Sequence, residues 1–371
     1  MLNLFFKELY FKILLLLTSF SFITGDRFEY FDKFFYFDIF MIIYVLSSLF
    51  VKKVLISTFT FNFIKILFII LLPSIILINF TNNILDSLQF LSQYLFLILI
   101  LPLFLESIYL TNKYNFFLKI LLFFLIINSI LFLLKSFEIV GELYFSENYG
   151  TRFVIGEFTP NDMGHYLVLM LFLITLLSSY RFKIFIELFS IIPYILTLSK
   201  TVWVQIIVYF VVKKTKIMLI GFVMIWVVLY FTNYLSVAYE IMIFIIQDFS
   251  TSTDSNKIRI EMMDSAINSI PSSILYPGYH SIDNLNTSLS VHNGILSYIV
   301  NFGLISFVML ILAISFFIFK NIQDKYFRFI LFFILLDCIT LLFNPIINSR
   351  VVWLPLFIYI YTYHYKKVEN V

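Results

Sequence analysis

Apolar segments of about 20 residues recur along the whole chain and restrict its fold more than any other feature. An α-helix of that length crosses the hydrocarbon core of a bilayer, which is roughly 30 Å thick. Hydrophobic residues make up 61% of the 371 positions and charged residues only 13%. Soluble domains are about a quarter charged, so the composition excludes a water-soluble enzyme and predicts an integral membrane protein.

Apolar runs bounded by charged residues predict one all-α, polytopic membrane domain over residues 1–371, with about twelve transmembrane helices. The seventh and eighth runs are short and equally compatible with one bent element, which gives a range of roughly ten to twelve spans. Lys7 and Lys12 precede the first run, as in a signal peptide, but no A-x-A cleavage site follows, so we expect a retained helix. The predicted spans are centred on residues 9–25, 34–51, 62–80, 89–110, 116–135, 162–179, 183–198, 201–212, 217–235, 290–318, 327–344 and 350–365.

The charged residues are distributed unevenly between the two sides of this predicted topology. With the N-terminus inside, 17 of the 25 Lys and Arg residues fall on the inner side, and positive residues mark the cytoplasmic side. Acidic residues concentrate on the outer side, which also carries two long loops, residues 136–161 and 236–289. The excess of positive residues predicts both termini in the cytoplasm. Because long loops are usually functional or disordered, we expect the functional face of the protein to be the outer one.

Several kinds of chemistry are excluded by the absence of their motifs. The sequence contains no GxGxxG, GxxxxGK[ST], DxD or HExxH pattern. Its one cysteine, Cys338, lies in an apolar run and cannot form a thiolate metal site. The net charge of +3 does not indicate a nucleic-acid partner. We therefore expect no nucleotide cofactor, no metal and no nucleic acid.

An outward-facing enzyme has no cytoplasmic ATP or nucleotide sugar, so its substrate has to carry the activated group. A lipid pyrophosphate is such a group, and fixed cations, arginine above all, can bind it without metal. Arg152 and Arg259 lie in the two long outer loops, while Lys200 and Arg350 flank short apolar spans. Each of the four is also compatible with a simpler role as an anchor among lipid headgroups.

Three of the four histidines lie on or near the outer side. His292 opens the tenth predicted span and can act either as a polar cap or as a general base, since imidazole titrates near neutral pH. His280 lies near the end of the long outer loop. His165 follows Asn161 by one helical turn on the same face, at the start of a span.

At these positions the sequence resembles a known family. The segment TRFVIGEFTPNDMGHYLVLMLF (Thr151 to Phe172) resembles the R-x-x-G-x-x-x-x-P-N-x-x-G-x-x-L start of a mid-chain helix in the O-antigen ligase and O-antigen polymerase family. LTLSKTVWVQ is similar to the S-R-[GT] turn of that family, with lysine at position 200 instead of arginine. Residues 257–307 resemble its long outer loop, including H-N-G-I-L and F-G-L-I-S. The pieces keep the family order over roughly residues 150–310.

The resemblance implies a bacterial glycosyltransferase at the outer face of the inner or plasma membrane, with an undecaprenyl-pyrophosphate-linked glycan as donor and neither metal nor cofactor. It places the catalytic base at His292 and pyrophosphate-binding cations at Arg152 and Arg259. Lys200 and Arg350 are further candidates for the pyrophosphate site. Possible additional substrate-binding residues are Asn161, His165, His280 and Asn293.

Within that family we favour a polymerase of O-antigen, capsule or exopolysaccharide repeat units, because the motifs match loosely and polymerases are the more divergent members. An O-antigen ligase, which uses another acceptor, is the alternative. Outside the family the alternatives are a flippase or other transporter of the lipid-linked oligosaccharide, and a non-catalytic scaffold. Scarce glycine and a single clear intramembrane acid, Asp337, weigh against a transporter. Membrane lipid, a flippase and a chain-length regulator are the expected partners.

Overall fold

The computed structural model describes residues 2–24, 27–28, 31–52, 56–78, 84–136, 163–177, 180–195, 199–213, 294–343 and 350–369. These residues are almost entirely α-helical, which confirms the predicted helical class, apart from one short antiparallel β-hairpin. The helices and strands, in chain order, are α1 (Leu2–Thr24), β1 (Arg27–Phe28), β2 (Phe31–Phe35), α2 (Tyr36–Lys52), α3 (Thr58–Leu77), α4 (Ile84–Leu110), α5 (Tyr114–Ser136), α6 (Met163–Leu177), α7 (Tyr180–Ile195), α8 (Lys200–Lys213), α9 (Gly294–Phe302), α10 (Leu304–Asn321), α11 (Lys325–Phe343) and α12 (Arg350–Glu369).

Within the described ranges, four helices are long and apolar enough to cross a membrane. They comprise Thr58–Leu77 of α3, Leu91–Leu110 of α4, Tyr114–Leu131 of α5 and Leu304–Asn321 of α10. A helix suits such sequences because it satisfies every backbone polar group internally, as a bilayer requires. The described helices are therefore compatible with a membrane protein, whereas the total of about twelve spans stays a prediction. The predicted span 217–235 and the loop 236–289 lie outside the described residues, as does all but the first residue of the loop 136–161.

The seventh and eighth predicted spans form two helices rather than one bent element. α7 and α8 are separate helices that pack against each other. Glu187 in the first half of α7 interacts with Tyr209 in the last half of α8, so the two helices lie side by side rather than end to end. The two short apolar runs therefore correspond to two short helices, not to the two halves of one long helix.

The predicted span 290–318 is broken at Gly303, so the prediction of a single helix there is wrong. Gly303 has φ 83°, in the left-handed region that favours glycine, and its N–H donates to the carbonyl of Ile299 at 2.8 Å. Ser74 of α3 donates a hydrogen bond to the carbonyl of Phe302 at this break. The 18 residues of α10 alone measure about 27 Å, so α9 is an additional element beside a full-length span.

Local hydrogen bonding explains the tight turns between consecutive helices. Just after α4, Asn112 lies in the left-handed region, φ 57°, and the N–H of Lys113 donates to the carbonyl of Ile108 at 2.9 Å. This Schellman-type ending satisfies carbonyls that the helix leaves open. Asp324 caps α11, because its carboxylate accepts from the N–H of Tyr326 at 2.7 Å.

Helix α6 is the central helix of the described bundle. Twelve consecutive residues, from Met163 to Ile174, are buried on every side. α6 packs against α5, α7, α8, α11 and α12. A helix that is apolar all round belongs in the middle of a bundle, so polar groups on α6 are surrounded by protein.

Polar contacts at the two ends of α1 identify the two ends of the bundle. Near the start of α1, Lys113 donates to Glu8 at 2.6 Å, and hydrogen bonds from Lys113 and Lys12 hold the pKa of Glu8 below its ordinary value of 4.5. We call this the Glu8 end. Near the end of α1, the Tyr166 hydroxyl at the start of α6 donates to the carbonyl of Phe22 at 2.9 Å. This Phe22 end corresponds to the predicted outer side, and its orientation in a membrane stays a prediction.

Candidate functional site: a buried polar centre at the start of α6

Of the nine predicted site residues, the structure describes the side chains of His165 and Arg350. Lys200 is the first residue of α8, but its side chain is not among those described. The other six lie outside the described residues, so their predicted roles stay predictions. These six are His292, Arg152, Arg259, Asn161, His280 and Asn293.

His165 and Asp337 form a buried ionisable pair between α6 and α11. The Nδ1 atom of His165 lies 2.7 Å from Oδ1 of Asp337, and each side chain is 1% exposed. A carboxylate at Nδ1 orients the imidazole and leaves Nε2 available to take or give a proton. Nε2 has no hydrogen-bond partner among the described residues. The pair therefore has the arrangement of an oriented general base.

A second polar pair packs directly on the backbone of α6 beside His165. Gln205 of α8 donates through Nε2 to Oγ1 of Thr340 at 2.6 Å and to the carbonyl of Leu336 at 3.0 Å. A Cβ at Gly164 would lie 2.7 Å from both Gln205 Oε1 and Thr340 Oγ1, closer than Cβ atoms normally approach. The glycine of the P-N-x-x-G segment thus lets α6, α8 and α11 meet.

Four buried polar atoms in this region lack a hydrogen-bond partner among the described residues. They are Nε2 of His165, Oδ2 of Asp337, Oε1 of Gln205 and the hydroxyl of Tyr359 on α12. Tyr359 belongs to the same centre because it interacts electrostatically with Asp337. Buried polar atoms are normally satisfied, so these side chains form a cluster that calls for a further partner such as water, a proton or a ligand.

Arg350 is already paired with a carboxylate. Its Nε donates to Oδ1 of Asp38 at 2.6 Å, and its Nη2 contacts Oδ2, which makes the pair bidentate between α12 and α2. Asp38 is fully buried and the Arg350 side chain is 14% exposed. The neighbouring ring of Phe37 contacts that of Phe22 at 5.3 Å, which places the pair at the Phe22 end. A pyrophosphate at Arg350 would have to compete with Asp38.

Asp337 is not the only acid inside the helices, contrary to the sequence-based expectation. Glu106 of α4 is 2% exposed, and Glu187 of α7 is 1% exposed. Glu106 accepts hydrogen bonds from Thr60 at 2.6 Å and from Tyr365 at 3.3 Å. Glu106 thus accepts from neutral hydroxyls and also interacts electrostatically with His364, whereas Asp337 lies within hydrogen-bond distance of an imidazole.

The rest of the described surface offers a cleft but no cluster of metal ligands. The cleft, of about 210 Å³, lies at the Glu8 end and is lined in part by Asn112, Asn115 and Lys366. It therefore opens at the opposite end from the His165–Asp337 pair. Within the described residues, no group of three or more His, Cys, Asp or Glu side chains could hold a metal ion.

Sequence reasoning identified His165 as a candidate but missed its partner. In the sequence, Asp337 stands out as an acid in an apolar run, and an ionisable group inside a membrane segment is costly unless it is paired. That cost was the available signal that the two residues meet. Gln205, a polar residue inside the eighth apolar run, carried a similar but weaker signal.

No protein-family model, curated protein or solved structure significantly matches the chain. The family resemblance therefore depends on the sequence segments quoted above, and the activity is a proposal.

Proposed function

We propose that the protein is a polysaccharide polymerase that joins undecaprenyl-pyrophosphate-linked repeat units at the outer face of a bacterial inner or plasma membrane. A hydroxyl of one lipid-linked unit attacks the anomeric carbon of another. The new glycosidic bond forms as the bond to the pyrophosphate breaks, and the pyrophosphate stays on its lipid. The attacking hydroxyl loses a proton, which a base such as His292 accepts.

The proposal depends on the position of the first helix after each of the two motifs. α6 begins at Met163, directly after the P-N-D sequence of the first motif, and α9 begins at Gly294, directly after the H-N of the second. Both helices pack against α11. The chain that returns from each predicted outer loop therefore enters the bundle beside the same helix.

Charge neutralisation of the leaving pyrophosphate is assigned to Arg152 and Arg259. Guanidinium groups suit this role because their planar fork contacts phosphate oxygens in two places. Lys200, at the first position of α8, can add charge but no fork. Arg350 contributes only if it leaves Asp38, so we rank it last among the four.

A transporter of the same lipid-linked oligosaccharide is the second candidate, favoured by two observations. The helix break at Gly303 is of the kind that transporters use near their binding sites, and Glu106, Glu187 and Asp337 are buried within helices. Buried intramembrane acids mark ion or proton pathways in such proteins. An O-antigen ligase would use the same outer site with a different acceptor.

The surface glycan of cells that lack the gene tests the proposal. The polymerase predicts single repeat units in the deletion strain and a full ladder with the wild-type gene, but no ladder with His292→Ala or Arg259→Ala. Lys257→Ala, which removes a cation from the same loop, is the matched control and should restore the ladder. Loss of even the single-repeat band in the deletion strain would contradict a polymerase and favour a ligase or a transporter.

A further inference from the structure

We propose that the His165–Asp337 pair is an internal proton acceptor, which receives at His165 Nε2 the proton that the attacking hydroxyl loses. Asp337 is the positioning residue that holds the imidazole. This assignment rests on the proposed glycosyl transfer and adds a second acceptor behind the base at His292.

The charge of the pair favours proton uptake. With a neutral imidazole and an ionised carboxylate, the pair carries one negative charge in a site that is 1% exposed. A proton at Nε2 converts it into an imidazolium–carboxylate pair with no net charge. Because an unbalanced buried charge is costly and a hydrogen-bonded neutral pair is less so, arrival of the proton removes a buried net charge rather than creating one.

No other described cation balances Asp337. The one described charge that acts on its carboxylate is that of His165. Lys213 at the end of α8 lies over the rings of Phe329 and Phe333, at 4.3 and 4.1 Å. Other titratable groups on the surrounding helices include Glu187 and Tyr194 on α7, Tyr209 on α8, Tyr298 on α9, Cys338 on α11, and Tyr359 and Arg350 on α12. Of these only Arg350 is cationic, and Asp38 already pairs with it.

The position of His165 suits transfer from the predicted outer face. It lies in the first turn of α6, and the next residue, Tyr166, contacts the carbonyl of Phe22 at the Phe22 end. Oε1 of Gln205 and the hydroxyl of Tyr359 are further buried polar atoms without a described hydrogen-bond partner, and buried water commonly satisfies such atoms. The tight packing at Gly164 leaves little room for a larger ligand, whereas a proton needs none.

The transfer is balanced without any further reactant. The hydroxyl oxygen forms the glycosidic bond, the bond from the anomeric carbon to pyrophosphate breaks, and the hydroxyl proton passes first to the base at His292 and from there to Nε2 of His165. The proton then leaves to solvent before the next cycle. No oxidant, reductant or metal is required.

Activity and fold have to be separated in the test, because a buried pair can also be purely structural. The variants are His165→Gln, Asp337→Asn and the apolar double variant His165→Leu/Asp337→Leu, with Cys338→Ala as the matched control on α11. The probe is the lipid-linked single-repeat material extracted from the deletion strain, elongated by purified protein in lipid vesicles. Folded yield is measured in parallel.

The proposal predicts that both single variants slow elongation by about 100-fold or more, the usual size of general-base effects, and flatten the pH profile of the rate. The apolar double variant should fold, because well-packed apolar residues often replace buried ion pairs without loss of stability, and it should remain inactive. Cys338→Ala should behave as wild type. Wild-type elongation by the apolar double variant would overturn the proposal and leave the pair a structural role.

A second readout does not depend on the glycan reaction. In full-length protein labelled with ¹⁵N-histidine, the resonances that His165→Gln removes belong to His165. They should show a proton on Nδ1 and a second proton arriving at Nε2 as acid is added. An Nε2 that takes up no proton while the protein stays folded would overturn the proposal. If wild-type protein elongates nothing, the proposed function fails, and this titration alone decides the proton site.

Discussion

Gly164→Ala tests the packing that holds the polar centre together. Alanine adds a methyl group whose carbon would lie 2.7 Å from Oε1 of Gln205 and 2.7 Å from Oγ1 of Thr340. The end of Gln205 can swing away, but it then loses hydrogen bonds of 2.6 Å to Thr340 and 3.0 Å to Leu336. Two such bonds are worth about 1–3 kcal/mol together, and overpacking in a core costs a similar amount.

We therefore expect Gly164→Ala to reduce the free energy of unfolding by about 2 kcal/mol, roughly a thirtyfold change in the folded-to-unfolded ratio. The assay is unfolding of the purified protein in mixed micelles by increasing amounts of SDS, followed by circular dichroism. This expectation is opposite in sign to the general rule, because alanine normally stabilises a helix by about 1 kcal/mol relative to glycine.

The control is the same substitution in a Gln205→Ala/Thr340→Ala background. With both side chains shortened, the three closest contacts of the added methyl are removed, and Gly164→Ala should become neutral or stabilising. The two backgrounds together isolate the contact from any general effect of alanine. Stabilisation by Gly164→Ala in the otherwise wild-type protein would refute the packing argument.

Three further predictions concern the Asp38–Arg350 pair, Glu8 and the orientation in the membrane. Arg350→Gln leaves the buried Asp38 carboxylate without its guanidinium and should lower the free energy of unfolding by about 3 kcal/mol. The double variant Arg350→Gln/Asp38→Asn should recover most of that loss. Equal losses of stability for the single and double variants in thermal denaturation would disprove the pairing. Hydrogen bonds from its lysine partners depress the folded-state pKa of Glu8, so its small stabilising effect is present above pH 4.5 and lost as the pH falls through the folded-state pKa. Melting temperatures of wild type and Glu8→Gln should therefore differ at neutral pH and converge in acid; a constant difference would contradict this. In a cysteine-free background on whole cells, a membrane-impermeant maleimide should label Asp254→Cys but not Lys320→Cys, and the reverse pattern would invert the predicted orientation.

Much of the helical framework could be predicted from the sequence because long apolar runs leave the backbone few other choices. The charges at the helix ends also carried information. Glu8 of α1 and Lys113 of the turn between α4 and α5 lie on the side that the positive-inside rule assigns to the cytoplasm, and they meet at 2.6 Å. Composition and charge placement thus indicated which helix ends gather together.

The pairs that build the candidate site could not be located from the sequence alone. His165 and Asp337 are 172 positions apart, and Asp38 and Arg350 are 312 apart. Such contacts depend on which helices become neighbours, and apolar runs that are hydrophobic on every side do not specify this. The break at Gly303 was missed because its surroundings are as apolar as a continuous span.

The most direct measurement of the central claim is elongation of lipid-linked repeat units by the purified protein alone. The protein is reconstituted into lipid vesicles with single-repeat lipid extracted from the deletion strain, and product length is measured by gel electrophoresis. A polymerase should convert the single repeats into a ladder without nucleotide or metal. Unchanged single repeats that have merely crossed the vesicle bilayer would contradict the account and identify a transporter.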